Sequence, residues 1–152
     1  MSTIDLTRLV RARIAADTAA RGHFRQIGGA AELAAAQRII KTVPAVWVVP
    51  LSESAGSPLW AGGFRQKKEL RVAIVIAAIN VSDGTGAAAL TGLALARSII
   101  EEALIPDDTG WIPEGCSDVM AWAAGQLARI DDNGCLWWQD EYATTHLVKT
   151  PT

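Results

Sequence analysis

The stretch from Leu70 to Leu104 constrains the fold more than any other part of the chain. From Leu70 to Ile79 (LRVAIVIAAI) both alternating sets of residues are mainly apolar, so both faces of a strand here need cover. Turn-forming residues follow from Asn80 to Gly86 (NVSDGTG), and a long apolar segment comes next. The pattern predicts a buried central strand, a tight loop and a helix that packs on the sheet.

The predicted helix carries one stripe for the sheet and a second apolar pair outside it. The stripe consists of Ala89, Leu93, Ala96, Ile100, Ala103 and Leu104, with Thr91, Ser98, Glu101 and Glu102 opposite. Leu95 and Ile99 lie one turn apart and well off the stripe. We expect this pair to contact another helix of the same subunit, a neighbouring subunit, or both.

Composition favours one folded domain with surplus apolar surface. The 152 residues are 50% hydrophobic and 20% charged, with six Trp, and surplus apolar surface usually finds a partner. No apolar run is long enough to span a bilayer, and the amino terminus lacks the apolar region of a secretory signal, so we expect folding in the cytosol. The net charge of −2, without long charged blocks, argues against nucleic-acid recognition.

Cysteine and histidine patterns predict no metal or cofactor. Cys116 and Cys135 are too few for a disulfide framework and lack zinc-site spacing, so free thiols are expected. His23 and His146 are isolated in sequence, and neither is given a role as a ligand.

The chain before the central strand predicts two helices and a strand. Thr3 is expected to cap a first helix that Gly22 ends, and the short mixed segment 23–27 that follows is a candidate for an extended conformation. An alanine-rich helix then runs from Ala30 through Ile40 and ends before Pro44. Residues 45–49 (AVWVV) predict a strand antiparallel to the central one.

Residues 51–64 (LSESAGSPLWAGGF) predict an irregular loop with unusual apolar content. Trp60 either tucks onto its own domain or anchors the loop to another chain, since Trp is favoured at binding hot spots. The candidate interface residues are Trp60, Phe64, Arg65, Lys67, Lys68, Leu95 and Ile99.

The carboxyl-terminal third predicts an anchored connector and a hairpin. Trp111, in the connector 105–115, is expected to pack against the end of the sheet. Residues 119–130 predict a strand, with a bulge at Gly125, and after a turn at 131–134 the chain returns over 135–148. The whole chain therefore predicts one α+β domain with a mostly antiparallel sheet of four to five strands packed against helices.

Catalytic motifs are missing from the sequence, which favours assembly over an enzyme. The segment Asp83 to Gly86 is a weak anion-binding candidate that is better explained as a turn. Adjacent carboxylates in a strand point to opposite faces, and those in turns usually face water, so they make poor acid–base pairs. These pairs are Asp107 with Asp108, Asp131 with Asp132, and Asp140 with Glu141.

The order and spacing of four segments resemble the tail terminator (tail completion) proteins of tailed phages and prophages, over nearly the whole chain. The segments are PAVWVVP (44–50), QKKELRVAIVIAAIN (66–80), GWIP (110–113) and LWWQDEYATT (136–145). The resemblance implies a hexameric ring that caps the head-proximal end of the tail tube, ends tube polymerisation and offers a surface for head–tail joining.

The implied partners are further copies of the chain, the tail tube protein, a neck or head–tail connector protein and, in a contractile tail, the sheath protein. No cofactor and no membrane are implied, and the protein would pass from the host cytoplasm into the virion tail. One alternative is another neck or connector protein of similar fold. The other is a small cytosolic enzyme or ligand-binding domain with a pocket beside Asp83–Gly86 and Trp111.

Overall fold

The computed structural model describes residues 4–36, 43–78, 87–131 and 134–149. The predicted loop 80–86, the cap at Thr3 and the end of the alanine-rich helix at Ile40 lie outside these residues. The elements are α1 (Leu6–Ala16), α2 (Thr18–His23), β1 (Gln26–Gly28), α3 (Ala30–Ala36), β2 (Ala45–Ala55), β3 (Arg65–Ala78), α4 (Ala87–Leu104), β4 (Ala121–Ile130) and β5 (Leu136–Lys149).

The strands form one mixed sheet in the order β1-β2-β3-β5-β4. β1 is parallel to β2, and every other neighbouring pair is antiparallel. The central position of β3 follows from its sequence, because residues 72–78 are buried on both faces. The predicted α+β fold with a mostly antiparallel sheet is confirmed.

Helices α1 and α4 cover one face of the sheet, which we call the helix face. The predicted α4 stripe from Ala89 to Leu104 is buried, and Leu6, Val10 and Ile14 form the buried stripe of α1. Ile99 packs against this core, which fits the expected contact within the subunit. Leu95 is 52% exposed, so its side chain is accessible to a neighbouring subunit.

The amino-terminal helix begins and ends at aspartates. The cap predicted at Thr3 is wrong: the Asp5 carboxylate caps α1 and accepts a hydrogen bond from the Arg8 amide at 3.1 Å. The helix predicted to run to Gly22 is instead broken at Asp17, whose side chain caps α2 by accepting from the Ala20 amide. A second capping side chain is a sufficient reason for the break, because it stabilises a new helix start.

The opposite face of the sheet carries a smaller core around two stacked indoles. The rings of Trp47 and Trp137 lie 5.4 Å apart with an interplanar angle of 13°. Leu33 and Ala36 of α3 pack against this cluster, so the alanine-rich helix lies on the sheet over residues 30–36.

The β2–β3 hairpin is longer than the sequence pattern indicates. Residues 51–55, predicted as part of an irregular loop, continue β2 and pair with β3 through a bulge after Pro50. The polar composition of this segment hid the strand, because its side chains are exposed on both faces. The irregular part is confined to residues 56–64.

A bulge was expected at Gly125, and the structure places irregularities on either side of it instead. The pairing of β4 with β5 shifts between Trp122 and Ala124 and between Leu127 and Arg129. Gly125 is in register opposite Asp140, where its missing side chain has a packing role.

Candidate assembly surfaces

The hairpin tip, residues 56–64, holds an exposed aromatic pair on an ordered turn. Leu59 and Arg65 exchange backbone hydrogen bonds of 2.7 and 2.8 Å, and the Gly63 amide donates to the Trp60 carbonyl at 3.2 Å. The rings of Trp60 and Phe64 meet edge to face at 5.0 Å. Trp60 is 70% exposed, so its described ring contact is with the tip itself and not with the domain core.

Basic side chains follow the tip along β3. Lys68 forms an ion pair with Glu53 at 3.5 Å on one face of the hairpin. Arg65 and Lys67 lie on the other face by strand alternation, with Lys149 directly opposite Arg65. No carboxylate in the described part of the chain forms an ion pair with these three residues. Like charges directly opposite one another are unfavourable unless an acidic group comes between them.

The structure therefore brings five of the seven candidate interface residues together on the hairpin. Leu95 and Ile99 lie apart from it, on α4.

A buried carboxylate fixes the position of α4 on the sheet. Asp140 is 1% exposed and accepts two hydrogen bonds from the Arg97 guanidinium, at 2.9 and 3.0 Å. The indole N–H groups of Trp122 and Trp138 also donate to it, each at 3.0 Å. Hydrogen bonding to Asp140 raises the pKa of Arg97, so its guanidinium stays charged at neutral pH.

The Asp140 site has a structural role, because the carboxylate accepts four hydrogen bonds from side chains of the same fold. The Arg97 guanidinium also lies 4.6 Å from the centre of the Trp138 ring. As predicted for neighbours in a strand, Glu141 faces the other way and pairs with Arg71 at 3.2 Å. The network ties α4, β4 and β5 into one unit.

The connector after α4 is anchored by an arginine, which sequence reasoning did not identify. Arg13 donates to the Ala103 carbonyl at 2.9 Å, and its guanidinium lies 4.8 Å from the centre of the Trp111 ring. Trp111, expected at the end of the sheet, packs against the helix-face core. The GWIP segment therefore joins α1 to the end of α4.

β4 carries an exposed apolar surface that the sequence interpretation missed. It is an edge strand, and Trp122, Leu127 and Ile130 are 48%, 49% and 63% exposed. The available signal was its sequence, AWAAGQLARI, which has one charged residue in ten. An edge strand normally carries more charge, because charge discourages association with other chains.

The described residues contain little that suggests a catalytic or metal-binding site. Cys116 and Cys135 are free thiols, as expected, and burial raises the pKa of Cys135 to about 11. Within the described ranges, no group of three or more potential metal ligands comes together, and no helix is long and apolar enough to cross a membrane. The anion-binding candidate 83–86 lies outside those ranges.

A family model described as "Phage tail terminator protein" matches residues 1–152. The chain belongs to the phage tail terminator family, and the resemblance noted from its motifs is confirmed. This is a structural family, so the chain has a structural role in a phage-type tail.

A search of solved structures gives a match of the same fold. It is a chain of a particle described as "Virion of native gene transfer agent (GTA) particle", with a TM-score of 0.50 and 12% sequence identity over 92% of each chain. A comparison with curated proteins finds no match.

Proposed function

We propose that the protein forms a hexameric ring on the head-proximal end of the tail tube, where it stops tube polymerisation and offers a surface for head–tail joining. Family membership supports a role in the tail. The exposed β2–β3 hairpin is the structural observation that supports a contact with another protein. Its tip places Leu59 and Trp60, 64% and 70% exposed, beyond the body of the sheet. Exposed aromatic side chains on an ordered element are typical of interface hot spots.

The hairpin is proposed to meet the tail tube protein. An open basic surface, formed by Arg65 and Lys67 of the hairpin and Lys149 of β5, favours an acidic surface on that partner. Leu95, 52% exposed, is a second candidate contact, for a neighbouring subunit. A sheath protein would be a further partner if the tail is contractile.

No catalytic role is proposed. The buried carboxylate, Asp140, is held by Arg97 and two indoles, and Glu141 lies on the other face of the sheet. Neither arrangement pairs two acids around a common substrate position.

The test is the mass of the purified protein by light scattering, followed by electron microscopy alone and with purified tail tubes. The expected result is a six-fold ring, free or at one end of each tube, and tubes that no longer elongate. A protein that stays monomeric and leaves tube ends bare and growing would refute the proposal. Binding to the connector without binding to tubes would support the neck-protein alternative.

A further inference from the structure

β4 and the adjoining side of α4 expose large apolar side chains on the helix face of the sheet. Trp122, Leu127 and Ile130 are each in register with a β5 residue that packs in the helix-face core. Leu90, 56% exposed, begins the α4 stripe that continues at helical spacing through Ala94 and on to Glu101. We call this region the α4–β4 groove.

The groove exists because the helices stop one strand short of the sheet edge. α4 lies over β3 and reaches β5 through the ion pair of Arg97 with Asp140. Beyond it, an open groove of about 390 Å³ separates Ala94, Ser98 and Glu101 from Trp122. No helix in the described part of the chain covers this side of β4.

The groove is a fixed surface. The indole of Trp122 is held by its hydrogen bond to Asp140, so its exposed ring is ordered before any partner arrives. A preorganised aromatic side chain loses little conformational freedom on binding, which favours association.

Charge distinguishes the two edges of the sheet. Residues 4–36, which include α1, hold five arginines and three carboxylates. Within the groove, Glu101 makes no ion pair with a described cation. The groove therefore offers a carboxylate without an ion pair, and the α1 side of the sheet has a surplus of arginines.

The outer side of α1 offers a complementary shape. Arg8, Arg11, Ala12 and Ala15 are exposed and lie on one stripe at helical spacing, opposite the buried side of the helix. We call them the α1 stripe. α1 packs over β1 and β2, at the sheet edge opposite β4. Small alanine side chains allow a second surface to approach the helix closely.

We propose that the α1 stripe of one copy packs into the α4–β4 groove of the next copy, with Arg8 directed at Glu101. This inference rests on the ring proposed above and names its subunit contact. A ring of identical subunits needs two unlike, complementary surfaces on each chain, and these lie at opposite edges of one sheet.

Two variants, each disabling one surface, test the proposal. Leu127→Glu places a charge on the exposed apolar face of β4 beside the groove and leaves the α1 stripe intact. The double variant Arg8→Glu with Ala12→Glu changes the α1 stripe and leaves β4 intact. Both alter exposed positions, and circular dichroism with urea unfolding verifies that each variant folds. Light scattering is expected to show that each variant is monomeric, whereas an equimolar mixture gives particles of twice the monomer mass.

Gln126→Glu is the matched control, because it adds the same charge one residue away on the opposite face of β4. It is expected to keep the wild-type ring. Rings that survive Leu127→Glu, or folded variants whose mixture forms no dimer, would overturn this subunit contact while leaving the ring itself intact. A wild-type protein that forms no ring, alone or on tubes, would overturn the proposed function as well.

Discussion

At the scale of single residues, Gly125 shows how closely the Asp140 site is packed. A Cβ atom at this position would lie 2.6 Å from the nearer Asp140 carboxylate oxygen and 3.2 Å from both Arg97 and Trp138. Gly125→Ala must therefore displace the carboxylate or its partners. We expect a loss of about 1–3 kcal/mol in the free energy of unfolding, as for overpacking of a core. Urea unfolding followed by Trp fluorescence measures it.

Gly92 supplies the control for that prediction, because the same substitution there meets open space. A Cβ atom on Gly92, within α4, has no neighbour within 4 Å. Gly92→Ala should stabilise the protein by about 0.5–1 kcal/mol, since alanine favours a helix and glycine does not. Equal effects of the two substitutions would show that the short distances at Gly125 have no energetic consequence.

Tyr142 gives the fold a predicted sensitivity to alkaline pH. Burial, together with the nearby carboxylates of Asp140 and Glu101, raises the pKa of its phenol above the ordinary value of about 10. Above that pH the unfolded chain releases a proton that the folded chain retains, so the stability falls as pH rises. We expect Tyr142→Phe to reduce the loss of stability between pH 10 and 11, measured by urea unfolding at each pH against the wild type.

At the scale of elements, how well a helix or strand was predicted from the sequence depended on how regularly its side chains are buried. α4 and the buried part of β3 from Leu70 were predicted because burial along one stripe, or on two faces, leaves a clear pattern in the sequence. The exposed start of β3, residues 65–69, was missed. The distal part of β2 was missed because residues 51–55 are exposed on both faces and carry no period. The break in the first helix was missed because it depends on one capping side chain, Asp17.

The candidate surfaces show the same limit. Trp60 and its basic neighbours could be identified because an apolar aromatic in a polar segment stands out locally. The α4–β4 groove could not, because β4 becomes exposed only through its place at the end of the strand order. The Asp140 site also depends on long-range packing, since Arg97 lies 43 residues away in sequence.

At the scale of the whole molecule, the two proposed contacts use perpendicular directions. The α1 stripe and the α4–β4 groove lie at opposite edges of the sheet, so contacts between copies run across the strands. The hairpin tip lies beyond the ends of β2 and β3, so it projects along the strands. A ring closed through the sheet edges therefore leaves every hairpin free for the tube.

This geometry predicts that Trp60→Ala separates ring formation from tube binding. The 70% exposed indole contributes little to the core, so the midpoint of thermal unfolding should stay within a few degrees of the wild type. The ring should persist in light scattering, while affinity for tube ends falls by about tenfold or more, as for loss of an aromatic hot spot. Trp60→Phe should retain most of the binding. A large fall in the unfolding midpoint would instead make Trp60 a structural residue, and a monomeric variant would place the hairpin in the subunit contact.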